Sequence, residues 1–368
     1  MTPHDAIRSK LEQLYGDAAQ ATYEALLPLL EPVRPGSTDT LSLSEKDIVL
    51  ISYGDHVQAA GENPLHTLHR FLQEFAAPTI NTVHLLPFYP YSSDDGFSVI
   101  DYYAVNPAHG KWEDIESLRQ DFRLMFDFVC NHISAQSHWF QKFLAQEPPY
   151  DDYFFTVPPE TDLSQVVRPR ALPLLTAVET AAGTRHVWTT FSADQIDLNY
   201  ETPSVLIEML KVLRFYVEHG ASLIRLDAVA FLWKEIGTDC IHLSQTHLVI
   251  QLMRDFLNSI APDTIIITET NVPHEENISY FGDGHNEAQM VYQFPLPPLV
   301  LHTLAMGDAT ALTKWAKSLG DPSGQTTFFN FTASHDGIGM RPATGLLSDA
   351  QIQALVERAE AHGGRVSY

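Results

Sequence analysis

Three acids stand where short apolar runs give out. The run at 220–227 reads Gly-Ala-Ser-Leu-Ile-Arg-Leu-Asp and ends in Asp227, with Arg225 two residues before it. The run at 264–269 reads Thr-Ile-Ile-Ile-Thr-Glu and ends in Glu269, and Ser334-His335-Asp336 follows the apolar run at 326–331. A fourth run, at 124–130, leads into Asn131-His132. Side chains alternate along a strand, so Arg225 and Asp227 share one side. A neighbouring cation favours the ionised carboxylate and lowers its pKa. Taken alone, the pair reads first as a buried structural ion pair; a partly desolvated, ionised Asp equally suits a covalent nucleophile. Asp227, Glu269 and Asp336 converging on one pocket change that balance. Burying three carboxylates together is costly, and such clusters mark catalytic sites. The chemistry open to them is cleavage of a glycosidic bond, with one carboxylate attacking the anomeric carbon and another, held protonated, donating to the leaving oxygen. Adjacent strand ends place Asp227 and Glu269 roughly 5–5.5 Å apart, the retaining geometry. Ser334-His335-Asp336 is not a hydrolase triad, because sequence neighbours cannot line up as nucleophile, base and orienter, and no G-x-S-x-G exists.

The elements that must carry these residues alternate. Residues 1–46 read as mostly helical, closed by Pro32, Pro35 and Gly36. Strands follow at 47–53, 82–87, 124–130, 220–227, 264–269, 290–294 and 326–331, separated by helices opened by Pro64, by Trp112 and by Thr202-Pro203, and a further helix at 248–257. Ser348 and Gln351 have capping-box spacing for a last helix. Between 133 and 201 the periodicity breaks in a stretch rich in Pro, Tyr, Phe and Asp, too long for a loop and read as an inserted subdomain. Alternating helices and continuously apolar strands indicate an α/β fold with a parallel sheet, a (β/α)8 TIM barrel with the insertion after strand 3. The division is a helical extension at 1–46, a first barrel part at 47–132, inserted subdomain B at 133–201, and a second, incomplete barrel part at 202–368. Barrel chemistry sits at the C-terminal strand ends, where these acids fall.

Composition narrows the partners. The 368 residues carry 46 acids against 22 Lys and Arg, a net charge of -24, which disfavours nucleic acid and anionic membranes. Hydrophobic residues at 45% and charged residues at 18% are globular usage. Cys130 and Cys240 form no disulfide or zinc pattern, and Cys130 reads as a core residue. No window reaches membrane-span length and no leader pattern opens the chain, so a cytoplasmic location is expected. The histidines, His84 and His302 among them, lack ligand spacing and read as core or surface residues. No dinucleotide fingerprint follows the first strand, so neither cofactor nor metal is expected.

These residues resemble a known family. Asp127-Phe-Val-Cys-Asn131-His132, Arg225-Leu-Asp227, Thr268-Glu269 and Ser334-His335-Asp336 look, in order, like the four conserved regions of the α-amylase family of glycoside hydrolases. The resemblance implies Asp227 as nucleophile, Glu269 as acid/base and Asp336 as transition-state stabiliser, with His132, Arg225 and His335 binding glucose. Further stretches at 92–102, 167–170 and 188–195 resemble the sucrose phosphorylase subfamily. They imply Asp94 holding the glucosyl group, Phe97 as an aromatic wall, Arg170 binding phosphate, and Phe191 and Gln195 in the substrate pocket. An Arg fork suits phosphate; the alternative for Arg168 and Arg170 is an ordinary ion pair. The long N-terminal helix and the stretches at 231–238, 270–282 and 329–339 resemble the 2-O-α-glucosylglycerate phosphorylase group. Phosphorolysis to α-glucose 1-phosphate and glycerate is thereby implied. Phosphorolysis of sucrose, sucrose 6-phosphate or glucosylglycerol, hydrolysis or transglucosylation, and a non-catalytic binding barrel are the alternatives. The family pattern continues with an acceptor loop, an eighth strand, a further donor-site Arg and a small β domain that these residues do not contain, so the loops that choose the acceptor are expected to lie partly beyond Tyr368.

Overall fold

The computed structural model describes residues 2–34, 36, 43–320, 322 and 324–366. Pro35, expected to help end the first helical stretch, lies outside the described residues, as do 37–42 within the expected extension and the C-terminal Tyr368.

Two helices open the chain, α1 (Pro3–Tyr15) and α2 (Ala19–Leu26). Thr2 caps α1 in a capping box with Asp5, which satisfies amides the first turn cannot. Strand and helix then alternate through β1 (Val49–Ser52), α3 (Pro64–Phe75), β2 (Thr82–Leu85), α4 (Trp112–Leu118) and β3 (Arg123–Val129). The stretch without clear periodicity holds β4 (His132–Ser134), α5 (His138–Leu144), β5 (Leu175–Thr180), β6 (Gly183–Trp188) and β7 (Gln195–Asp197). Here β5 and β6 form an antiparallel hairpin, and β7 returns to pair with β4. Elements this short, joined by long connections, leave no sustained period in the sequence. Alternation resumes with α6 (Pro203–Glu218), β8 (Ala221–Asp227), α7 (Ser244–Ile260), β9 (Ile265–Thr268), α8 (His274–Ile278), β10 (Met290–Tyr292), α9 (Leu296–Met306), α10 (Thr310–Ser318), β11 (Thr327–Phe329) and α11 (Asp349–Ala361).

Among the described residues, seven strands form one parallel sheet in the order β1-β2-β3-β8-β9-β10-β11. Its two faces are sorted by side-chain parity. Leu124, Phe126, Phe128, Ile224, Leu226, Ile266 and Val291 join the large core shared with the helices. Met125, Leu223, Ile265, Ile267, Met290 and Tyr292 form a separate cluster on the other face, with Val49 of β1 and Phe329 of β11 packed against it. Residues of the first and last strands meeting in one cluster show that the sheet curls, as a barrel-type sheet must. Truncating a fully buried ring such as Phe126 to Ala would cost roughly 3–5 kcal/mol. The turn from α6 into β8 depends on Gly220. Its φ is +104°, and a Cβ there would stand 2.5 Å from Arg119 Cδ. That turn sets the register of β8 against β3, which places Arg225 opposite Asp127.

Candidate active site

Arg225 is the hub of the C-terminal strand ends. Leu223, Arg225 and Asp227 alternate onto the inner face of β8, so the guanidinium and the carboxylate emerge on the same side. The Arg225 side chain is 3% exposed. Its Nη1 donates to Asp127 Oδ1 at 2.5 Å and to Asp227 Oδ1 at 2.9 Å. Its Nη2 stands 3.8 Å from Glu269 Oε2, an ion-pair distance without a hydrogen bond. Phe97 and Tyr292 flank the guanidinium, with ring centroids 5.4 and 5.8 Å from Cζ. The second oxygen of Asp127 lies 2.8 Å from His84 Nε2. His84 is therefore a core residue directly beneath the site.

The environments of the three inner acids differ. Burial raises Asp127, but Arg225 and His84 outweigh it and hold the carboxyl at about 2. Burial also raises Glu269, and the Asp227 and Asp336 charges add to that; Arg225 opposes both, and the group stands at about 7. For Asp227 the sequence-based expectation of a lowered pKa is corrected. Burial, helped by the Asp127 charge, raises it more than Arg225 and His132 lower it. The difference between Asp227 and Glu269 lies in contact: Arg225 bonds Asp227 directly and only approaches Glu269. Asp227 is thus the better-stabilised anion and Glu269 the better proton holder. Asp336 needs a second correction. It does not sit at a strand end but on a turn well past β11, with its side chain 71% exposed and 3.2 Å from His335 Nε2. Burial lowers His335.

The wall opposite is built by the β2–α4 connection and the stretch around β7. Asp94 and Asp95 adopt left-handed backbone, φ 53° and 47°, followed by Gly96 at φ +111°. A Cβ on Gly96 would lie 2.8 Å from the Pro87 carbonyl, so only glycine fits this turn. The turn aims Phe97 into the cavity, where it stacks on His335 with centroids 5.1 Å apart and planes 9° from parallel. Left-handed conformations cost energy and gather where function demands them. Ala228 and His242, which also line the cavity, share the feature. His132 places Nε2 2.9 Å from the Phe97 carbonyl. Gln195 Nε2 donates to Asp94 Oδ2 at 2.9 Å. Phe191 packs on His132 at 5.2 Å, and Arg170 lies over its ring at 5.7 Å. Arg170 also pairs with Asp94 at 3.3 Å, while Arg168 donates to the Leu172 carbonyl.

Every candidate residue named from the sequence borders one cavity of about 660 Å3, a size suited to a small ligand. The sequence reading gave no role to several supports. Asp127 is the largest omission; its signal was an acid in the middle of the apolar β3 run. A buried ion pair is another. Lys234 Nζ, just past β8, meets Asp197 of β7 at 2.8 Å and Asn131 Oδ1 at 3.0 Å. Asp197 also accepts from the Thr190 amide and hydroxyl and from Asn131, so its charge is fully bonded. This network ties the β7 stretch to the barrel directly behind His132. Among the described residues, no cluster of His, Cys, Asp and Glu is arranged to hold a metal ion, and no helix is long and apolar enough to cross a membrane.

A curled parallel sheet with acids grouped around one arginine at its C-terminal end defines a barrel-type carbohydrate-active site. Residues 71–337 match the family "Alpha amylase, catalytic domain", and the chain belongs to it. The glucosylglycerate phosphorylase of Allomeiothermus silvanus is 55% identical over 370 residues, covering 100% of this chain and 66% of that protein. The glucosylglycerate phosphorylase of Escherichia coli is 51% identical over 366 residues, covering 98% of this chain and 66% of that protein. The crystal structure of sucrose 6F-phosphate phosphorylase from Thermoanaerobacter thermosaccharolyticum superposes with a TM-score of 0.77 at 27% identity, over 89% of this chain and 67% of that one. The chain thus spans about two thirds of the length of the relatives it matches.

Proposed function

We propose that this chain carries the catalytic centre of a retaining α-glucoside phosphorylase acting on 2-O-α-D-glucosylglycerate. The observation that carries the reaction class is the unequal sharing of Arg225: 2.9 Å and a hydrogen bond to Asp227, 3.8 Å and none to Glu269. The substrate class rests on the two glucosylglycerate phosphorylases at 55% and 51% identity.

In this reading the ionised Asp227 attacks the anomeric carbon as the bond to the glycerate oxygen breaks, and Glu269 gives that oxygen its proton. The product of the first step is a β-glucosyl ester of Asp227. A monohydrogen phosphate oxygen then attacks the same carbon, the ester bond breaks, and the phosphate proton returns to Glu269. Two inversions leave α-glucose 1-phosphate and glycerate. Asp336 opposes the positive charge developing on the sugar ring. Asp94, His132, Gln195, Arg225 and His335 hold the glucosyl unit, and Phe97 and Phe191 wall it. Arg170, on the 133–201 insert, exchanges its Asp94 contact for phosphate. In the same reading the helices described within 1–46 form an extension, and the described residues of 47–132 and 202–368 form the barrel around the insert.

The test is a donor panel on the full-length protein: glucosylglycerate, glucosylglycerol, sucrose and sucrose 6-phosphate, each with phosphate. Glucose 1-phosphate from glucosylglycerate is the expected product. Release from sucrose alone overturns the substrate, and free glucose in its place overturns phosphorolysis in favour of hydrolysis.

A further inference from the structure

The phosphorylase reading makes the leaving group an anion. That raises a charge problem the site must solve, because Asp94, Asp95, Asp227, Glu269, Glu276 and Asp336 all border the cavity. A carboxylate entering among them is repelled unless a cation meets it. Most cations of the cavity are occupied. Arg225 is bonded to Asp127 and Asp227, and Arg170, paired with Asp94, is the cation assigned above to phosphate. Arg168 is bonded to the Leu172 carbonyl, and His335 is paired with Asp336. His242 lies 2.6 Å from the Tyr280 hydroxyl and 3.3 Å from Glu276.

Arg341 differs. It lines the same cavity, and among the described residues its guanidinium has no hydrogen-bond or ion-pair partner. Its position suits the leaving group. It follows Asp336 on a short 3-10 turn, Arg341–Ala343, closed by the Thr344 amide on the Arg341 carbonyl at 3.1 Å. Ala343 and Leu347 anchor that turn in an apolar cluster with Leu299, Trp315 and Leu355. The preceding residues lean on the acid/base side of the cavity: a Cβ on Gly339 would lie 3.8 Å from Asn271 Nδ2, two residues beyond Glu269. The group that protonates the leaving oxygen must stand beside the leaving group, so this edge is the acceptor edge. Of the glucosyl-holding residues, Asp94, His132, Gln195 and Arg225 belong to other elements, and His335 precedes Arg341 on the connection after β11.

We propose that Arg341 is a specificity-determining residue that binds the carboxylate of the acceptor. A planar guanidinium offers a carboxylate two parallel donors, a geometry neither water nor a neutral polyol can match. An unpaired guanidinium on a turn anchored by Ala343 and Leu347 needs no existing pair to break before it binds. The assignment rests on the glucoside phosphorylase reading and adds to it the reason why an acidic acceptor is chosen over a neutral one.

The experiment runs the reaction in the synthetic direction. Full-length parent, Arg341→Gln and Arg341→Lys are supplied with α-glucose 1-phosphate and either glycerate or glycerol. For Arg341→Gln the ratio of kcat/KM for glycerate to that for glycerol falls at least about tenfold, chiefly through the glycerate KM. Arg341→Lys recovers part of that ratio, because it restores charge without the fork. An unchanged ratio, or equal loss with both acceptors, overturns the assignment. A parent that transfers to other acceptors but ignores glycerate contradicts the substrate reading itself, and it does so before any variant is compared.

Discussion

Arg225 shows how one side chain divides labour between two carboxylates. Its Nη1 bonds both Asp127 and Asp227, its Nη2 stands 3.8 Å from Glu269, and burial holds the Glu269 carboxyl up at about 7 against the pull of Arg225. Productive chemistry needs Asp227 ionised and Glu269 protonated. Activity therefore rises with pH as Asp227 ionises and falls as Glu269 loses its proton around 7. A pH profile of kcat/KM checks this; a plateau extending to pH 9 would contradict it. Glu269→Gln removes the proton donor and should cost roughly 10²–10⁴-fold in phosphorolysis, measured as glucose 1-phosphate release. The same substitution has a stability signature. A carboxyl whose folded pKa is raised is protonated in the fold more readily than in the unfolded chain, so its ionisation penalises folding as pH climbs towards the folded value. Glu269→Gln should thus be more stable than the parent at pH 8, by up to about 3 kcal/mol, with the gap closing towards pH 4.5. Unfolding midpoints at the two pH values decide it. The nucleophile and acid/base candidates were legible because each ends an apolar run. Asp127 and His84 went unassigned because an inward polar residue in the middle of a strand gains meaning only from the strand beside it, and register is a property of the pair.

At the scale of elements, local chemistry was readable where it is self-contained. Asn63 and Pro64 open α3, Ser348 and Gln351 close a capping box on α11, and the pattern at 112–118 coincides with α4. The α9 helix gave no periodic signal, since its first turn carries Pro297 and Pro298 and apolar residues run around it. Nor did Asp336 reveal its distance from β11, because a polar motif after a strand pattern has no marker for the length of the turn between them. The Lys234 network was illegible for a related reason: Asn131, Asp197 and Lys234 are far apart in the chain and meet only when β7 returns to β4. That network makes a firm prediction. Lys234→Met leaves the Asp197 charge buried without its cation and should destabilise the protein by roughly 3–5 kcal/mol, read as a lower urea midpoint. The double variant with Asp197→Leu should recover much of the loss, since replacing both partners removes the stranded charge. A single variant as stable as the parent would show the pair to be dispensable.

The whole molecule combines a family scaffold with a net charge of -24, and in the proposed reaction its acid-lined cavity exchanges one anion for another. The match over residues 71–337 establishes the family; the chemistry has to be argued from the site. A net charge of -24 argues against nucleic acid and anionic surfaces, and the same repulsion acts on phosphate and glycerate. In the proposed reading the resolution is local, in Arg170 on the insert and Arg341 on the turn after Asp336, both at the cavity wall. No sum over residues reveals such placement. The central claim is tested most directly by incubating the full-length protein with 2-O-α-glucosylglycerate and inorganic phosphate and identifying the glucosyl product. The account predicts α-glucose 1-phosphate and glycerate in equal amounts, with formation lost in Asp227→Asn. Free glucose as the product, or glucose 1-phosphate undiminished in Asp227→Asn, would contradict it.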